Sequence, residues 1–212
     1  MNKKNKRIQT MDEEIANSIT HGIGTGLSIA ALVILVTLAS QNGDPWKVVG
    51  FSIYGASLFL LYLISTLYHG FTNMNVKKFF RVLDHSAIFL LIAGTYTPIT
   101  LTVMRGPWGW TLFGIVWGLA ILGILLKTIM FGKFEKLSVV LYLLMGWIVV
   151  IAIKPLIIML PFTSLMWLAI GGVLYTAGVI FYAWQRLPYH HVIWHIFVLG
   201  GSISHFFGML YL

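Results

Sequence analysis

The sequence predicts an all-α integral membrane protein, a bundle of seven transmembrane helices with a cytoplasmic N-terminus and an external C-terminus. Of its 212 residues, 58% are hydrophobic and only 9% are charged, whereas a soluble domain has about a quarter of its residues charged. The apolar residues form long uncharged runs, and most basic residues lie between these runs on one predicted side. A soluble enzyme, a disordered chain and a nucleic-acid-binding protein are therefore excluded, despite a net charge of +8.

Seven runs are long enough to cross a bilayer, since a helix needs about 20 apolar residues to span the hydrocarbon core. They follow a cytoplasmic tail of residues 1–13, and together they form a single transmembrane domain over residues 14–212. The predicted spans are, in chain order, 15–40, 48–69, 85–104, 107–126, 137–153, 163–185 and 191–212.

Each span is bounded by charged or helix-breaking residues. The first follows the acidic end of the tail, and a basic loop separates the second from the third. The fourth begins at Pro107. The fifth is short because Pro155 and Pro161 interrupt a long apolar run before the sixth; the seventh begins in a histidine-rich segment. Six or eight crossings are the alternatives, whereas strands are excluded because the runs do not alternate polar and apolar residues.

The basic residues set the orientation. With a cytoplasmic N-terminus, only Lys47, Arg105 and Lys154 fall outside, against eleven on the cytoplasmic side. Those eleven are Lys3, Lys4, Lys6, Arg7, Lys77, Lys78, Arg81, Lys127, Lys133, Lys136 and Arg186. This bias satisfies the positive-inside rule and agrees with an odd number of spans.

Histidines mark the candidate site. Odd spans begin and even spans end on the cytoplasmic side, so six of the seven histidines converge there together with Asp84. They are His21, His69, His85, His190, His191 and His195. His205 lies about 15 Å deeper than His195 along the last helix, too far to share a metal with it.

His191 and His195 are four residues apart, which places both imidazoles on one face of the last helix. Such a pair can bind zinc, or it can make interhelical hydrogen bonds or lie in interfacial water. His69 is placed to supply a third ligand, and three histidines leave one position open for water, as in catalytic zinc sites. The sequence has no cysteine, so a metal site with thiolate ligands is excluded. Asp84 would then hold or deprotonate that water, or orient a ligand.

The same residues carry a family resemblance. The segment from Glu14 to His21 has the form ExxNxxTH, Ser65 and His69 form SxxxH, and the last span begins with HxxxH. In this order, the motifs resemble the bacterial hemolysin III branch of the progestin and adipoQ receptor family, which includes the adiponectin receptors. The resemblance runs from about residue 14 to the end of the chain.

The resemblance implies seven helices with a cytoplasmic N-terminus and a location in a bacterial plasma membrane. It also implies one zinc ion held by His69, His191 and His195, with Asp84 reaching the zinc-bound water. The wider superfamily includes alkaline ceramidases, and members of the bacterial branch are named for haemolysis. This chain lacks the long soluble N-terminal region of the receptors, so hormone recognition is not implied.

Four further residues have two interpretations. Glu14, Asn17 and His21 share one face of the first turns of span one, and Ser65 shares a face with His69. In one interpretation these residues cap helices and pack between them. In the other they support the zinc ligands through hydrogen bonds.

The leading functional hypothesis is a zinc-dependent membrane hydrolase of an amide- or ester-linked lipid. Asp84 is its expected catalytic base and a membrane lipid its expected partner. A non-catalytic protein with structural zinc, either a receptor or a pore-forming cytolysin, is the alternative. The residues indicate no soluble protein partner and no oligomeric state.

Overall fold

The computed structural model describes residues 9–129 and 135–212 and, at residues 135 and 136, the backbone alone. The described part contains only helices, and seven of its segments are long and apolar enough to cross a membrane. The helices are α1 Met11–Gln41, α2 Pro45–Gly70, α3 Met74–Leu101, α4 Pro107–Ile129, α5 Glu135–Trp147, α6 Ile153–Met159, α7 Phe162–Ala183 and α8 His190–Leu210. The expected number of crossings is confirmed. Most of the expected tail, with its four basic residues, and Lys133 lie outside the described residues.

The first helix begins earlier than expected because its N-terminus is capped. Thr10 and Glu13 form a capping box, in which each side chain accepts a hydrogen bond from the backbone N–H of the other. This arrangement satisfies two of the amide groups that a helix start leaves unpaired. Residues 11–13, expected in the tail, are therefore helical.

The third helix also begins early, at Met74 instead of residue 85. The Asn73 side chain caps it by accepting hydrogen bonds from the amides of Asn75 and Val76. Because lysine and arginine favour helices, the basic segment continues the helix, and the loop expected there is wrong. Asp84 thus lies ten residues into α3, about 15 Å from its start.

The fifth crossing extends to Met159 and does not end near Pro155. It consists of α5, a 3₁₀ segment over Ile148–Ala152, and α6. Pro155 is the third residue of α6, where its missing N–H has no intrahelical partner to lose. Pro161 alone marks the boundary before the next crossing.

The helices pack mainly with their neighbours in sequence. α1 lies against α2, α2 against α3, and α7 against α8, while the last helix returns to contact α1. The fifth crossing contacts α3, α4 and α7 only sparsely. α1 therefore packs against both α2 and α8, the two helices with histidine-rich ends, and a looser region lies between the fifth crossing and α7.

Candidate metal centre

Three histidines from two helices meet at one end of the bundle. His69 is in the last turn of α2, and His191 and His195 are in the first turns of α8. One ligand nitrogen from each ring lies within 4.8 Å of the others. The ring centroids are 4.6 Å apart for His191 and His195, and 5.1 Å from His69 to each. The structure therefore contains the predicted cluster.

The chemistry of the cluster fits a transition-metal ion. Two nitrogens bound to one zinc at about 2.0–2.1 Å each must lie within about 4.2 Å of one another, so the 4.8 Å spacing approaches a coordination shell. Nε2 of His69 and Nδ1 of His195 are buried and have no hydrogen-bond partner in the described part of the chain. Buried polar atoms are normally paired, and a metal would satisfy both. The triad can hold a metal ion, and imidazole suits zinc, copper, iron or nickel.

Glu14 fixes the orientation of the His69 ring. Its Oε2 lies 2.6 Å from His69 Nδ1, and its Oε1 lies 2.8 Å from Lys77 Nζ. With the carboxylate accepting, Nδ1 carries the hydrogen and Nε2 keeps its lone pair. Carboxylates that bind a metal-ligating histidine in this way set its tautomer and raise its basicity.

His21 packs directly on a triad histidine. The His21 ring stacks on the His195 ring, with their centroids 3.5 Å apart and an interplanar angle of 16°. The Tyr62 ring lies edge-on against the His21 ring, with their centroids 5.0 Å apart. His21 is 4% exposed. A stacked ring restricts rotation of His195 about its side-chain torsions, so the role visible for His21 is positioning.

Asn17 is fully buried one turn before His21, and its amide Nδ2 donates to Gln9 Oε1 at 2.9 Å. This bond ties α1 to the residues before it, and the Asn17 backbone is hydrogen-bonded to the side chain of the triad residue His195. Asn17 therefore contributes both to local packing and to the position of His195.

Asp84 and Ser65 lie beside the triad and outside it. Both line the cavity that also contains His191 and His195. The Asp84 carboxyl interacts electrostatically with His69, and Ser65 is 1% exposed on the helix face of His69. The Asp84 carboxyl is therefore close enough to the triad to act on it electrostatically, and it lines the same cavity.

Two neighbouring histidines do not join the cluster. His85 lines the same cavity, and its carbonyl accepts a hydrogen bond from Tyr142 at 2.8 Å. His190 is buried, and its Nδ1 lies 3.2 Å from the Phe181 carbonyl oxygen. That bond joins the first turn of α8 to α7, which explains the burial.

A cavity of about 350 Å³ extends from the triad into the bundle. Its walls are mostly apolar side chains of α3, the fifth crossing, α7 and α8, and it reaches His205 at depth. A pocket of this size and character is typical of sites for drug-sized or lipid-like ligands.

Two residues near the site carry structural information that the sequence analysis missed. Glu13 is 2% exposed, and its Oε1 accepts a hydrogen bond of 2.6 Å from the backbone N–H of Tyr189. This bond joins the start of α1 to the start of α8. The spacing from Thr10 to Glu13 is a capping-box signal that was available in the sequence. Lys127, which the positive-inside rule assigns to the cytoplasmic side, is buried and lines the cavity.

Comparison with known proteins agrees with this architecture. A family model described as Haemolysin-III related matches residues 9–206. Hemolysin-3 from Bacillus cereus is 52% identical over 209 residues, covering 99% of this chain and 95% of that protein. The Hemolysin-3 homolog of Bacillus subtilis (strain 168) is 50% identical, covering 95% of each chain. The human Monocyte to macrophage differentiation factor is 27% identical, covering 94% of this chain and 84% of that protein.

Proposed function

Since the chain belongs to the Haemolysin-III related family, we propose that it is a zinc-dependent hydrolase of an amide- or ester-linked membrane lipid. The seven apolar helices and the Hemolysin-3 relatives support its location as a multi-pass protein of a bacterial membrane. With the cytoplasmic N-terminus that the basic residues predict, the site faces the inner leaflet.

The observation that carries the proposal is the position of the triad. Three histidines with ligand atoms within 4.8 Å of one another lie beside a carboxylate at one end of an apolar cavity. A purely structural zinc site has four protein ligands, whereas three leave a position open. An apolar cavity next to it suits the hydrocarbon chain of a lipid.

Each group of the chain has a defined part in the proposed reaction. The cavity binds the acyl chain and keeps bulk water from it, while Glu14 holds His69 in the tautomer that exposes Nε2. A zinc ion, when bound, polarises the scissile carbonyl and lowers the pKa of a water molecule toward about 7. The Asp84 carboxylate accepts the proton of the attacking water and returns it to the leaving group.

The test is the Asp84→Asn variant, compared with the wild type for zinc content and lipid turnover. The proposal predicts one zinc per chain in both proteins, with hydrolysis of acyl-amide or acyl-ester lipids lower in the variant by at least about 100-fold. Asp44→Asn is the matched control, because Asp44 caps α2 at the opposite end of the bundle and asparagine also caps helices. Purified wild-type protein without zinc, or an Asp84→Asn protein with full turnover, would contradict the proposal.

The names of the relatives favour a second candidate, a cytolytic membrane protein in which zinc is structural. In that case zinc clamps α2 to α8, and lysis depends on the metal and not on Asp84. Release of a dye from lipid vesicles by the wild type and by Asp84→Asn distinguishes the two. Equal, zinc-dependent release by both proteins without any lipid turnover would support the cytolysin.

A further inference from the structure

The deep part of the cavity contains a hydrogen-bond acceptor that the chain does not use. His205 lines the cavity, about 15 Å from His195 along α8, and its Nε2 lies 3.2 Å from the Leu168 carbonyl oxygen. Because a carbonyl oxygen only accepts, Nε2 of the neutral ring carries the hydrogen and Nδ1 keeps a lone pair. Nδ1 is buried and has no hydrogen-bond partner in the described part of the chain. An unpaired polar atom in an apolar bundle is costly, so a donor is missing at this point.

Next to His205, three hydroxyl groups form a chain that has one hydrogen to spare. Tyr62 Oη donates to Ser202 Oγ at 2.7 Å, and Ser202 Oγ lies 2.8 Å from Tyr175 Oη, with either oxygen able to donate. These two bonds use two of the three hydroxyl hydrogens. Ser202 is 3% exposed, whereas Tyr175 lines the cavity. The arrangement that leaves no buried hydrogen unpaired is the one in which Ser202 donates to Tyr175, and the spare hydrogen then belongs to Tyr175.

Two glycines determine where the rings of Tyr175 and His205 lie. A Cβ at Gly201 would lie 2.9 Å from the Tyr175 ring, and a Cβ at Gly171 would overlap Cδ2 of His205. In their absence the two rings pack edge to face, with their centroids 5.2 Å apart and an interplanar angle of 68°. The spare donor and the spare acceptor are therefore on adjacent side chains of the cavity wall.

A hydroxyl group can satisfy both side chains, because its oxygen accepts from Tyr175 while its hydrogen is donated to His205 Nδ1. We propose that Tyr175 and His205 form a subsite for a hydroxyl group on the hydrocarbon chain of the ligand. The subsite lies about 15 Å from the triad, which an extended chain covers in about twelve carbons. The inference rests on the proposed function for a lipid ligand with its polar end at the triad, but it requires neither hydrolysis nor a metal.

The test compares palmitate with two hydroxylated forms of it. The far isomer has its hydroxyl about twelve carbons from the carboxylate, at the distance of His205 along α8, and the near isomer has it on the carbon next to the carboxylate. Affinities are measured on the purified full chain by displacement of radiolabelled palmitate. The near isomer controls for the added polarity, since its hydroxyl cannot reach the subsite while the carboxylate is at the triad.

The wild type is expected to bind the far isomer at least about fivefold more tightly than palmitate, as two neutral hydrogen bonds would give, and the near isomer no more tightly than palmitate. In His205→Phe and in Tyr175→Phe the preference for the far isomer falls to within about twofold, while palmitate binds as before. Tyr54→Phe is the matched control and keeps the preference. Tyr54 is a buried tyrosine whose hydroxyl lies 3.5 Å from the Ser202 carbonyl oxygen, away from the residues that line the cavity.

Three results would overturn the inference. Equal affinity of the wild type for palmitate and the far isomer would mean that water or nothing occupies the subsite. Equal gains for both isomers would show that the hydroxyl is not recognised at depth, and an undiminished preference in His205→Phe would exclude that histidine. If His205→Phe does not fold, Tyr175→Phe, which removes one oxygen, decides the same point.

These outcomes are separate from those of the Asp84→Asn test. Preference for the far isomer without lipid turnover would leave a protein that binds hydroxylated lipids. Turnover without that preference would leave a hydrolase that does not recognise the hydroxyl, and the subsite would be refuted alone.

Discussion

The substitution Glu14→Gln tests how much the carboxylate behind His69 contributes to metal affinity. Glutamine retains the size of the side chain but loses the charge that accepts from His69 Nδ1 at 2.6 Å and pairs with Lys77. Removal of such a partner typically weakens metal binding by about 10- to 100-fold, which corresponds to about 1.4–2.8 kcal/mol of binding free energy. The ion pair with Lys77 is partly buried, with the two side chains 17% and 20% exposed, and surface ion pairs contribute about 0–1 kcal/mol.

The assay is a zinc titration of the purified protein against a competing chelator. Asp12→Asn is the matched control, since Asp12 is an exposed carboxylate on the same helix and its loss should leave zinc affinity unchanged. Lys77→Met separates the two contacts of Glu14, and it should weaken zinc binding by less than about fivefold. An unchanged affinity in Glu14→Gln would refute the reasoning that the negative charge of Glu14 strengthens metal binding by His69.

Three further substitutions probe the triad, the helix packing and the cavity. His195→Ala should lower bound zinc to less than a tenth of the wild-type content by metal analysis, and a fully loaded variant would exclude His195 as a ligand. Gly24→Ala should lower stability by about 1–3 kcal/mol in thermal or denaturant unfolding, because its Cβ would lie 2.5 Å from the Tyr62 ring. Gly26→Ala, whose Cβ meets nothing within 4 Å, is the control, and an equal loss in both would contradict the packing argument. Gly172→Leu, at an open position on the cavity wall, should fold normally and reduce binding of palmitate more than binding of a ten-carbon fatty acid. An equal effect on both fatty acids would show that the hydrocarbon chain does not lie along this part of the wall.

The crossings could be predicted from the sequence because a bilayer demands long apolar runs, and the number of such runs is readable directly. The helix ends could not, since caps form outside the apolar runs. Asn73 starts α3 within a segment that hydropathy assigns to a loop, and Thr10 starts α1 within the expected tail. The predicted break at Pro155 is wrong because a proline in the first turn of a helix does not interrupt it.

The triad was predictable for a different reason. Odd-numbered crossings begin and even-numbered crossings end on the same side of the membrane, so the histidines at those ends come together. The four-residue spacing of His191 and His195 places both side chains on one face of the last helix. Contacts between helices depend on how each helix is rotated about its axis, which no local pattern specifies. The bond from Glu14 to His69 and the inward direction of Lys127 are both of this kind.

The bond between Glu13 and the Tyr189 amide has a consequence for biogenesis. It fastens the start of α1 to the start of α8, the first and the last helix of the described part of the chain. Two of the three triad histidines belong to that last helix, so a chain with only its first six crossings inserted has one triad histidine in place. If the triad binds a metal as proposed, the metal-binding set is complete only after α8 has been inserted.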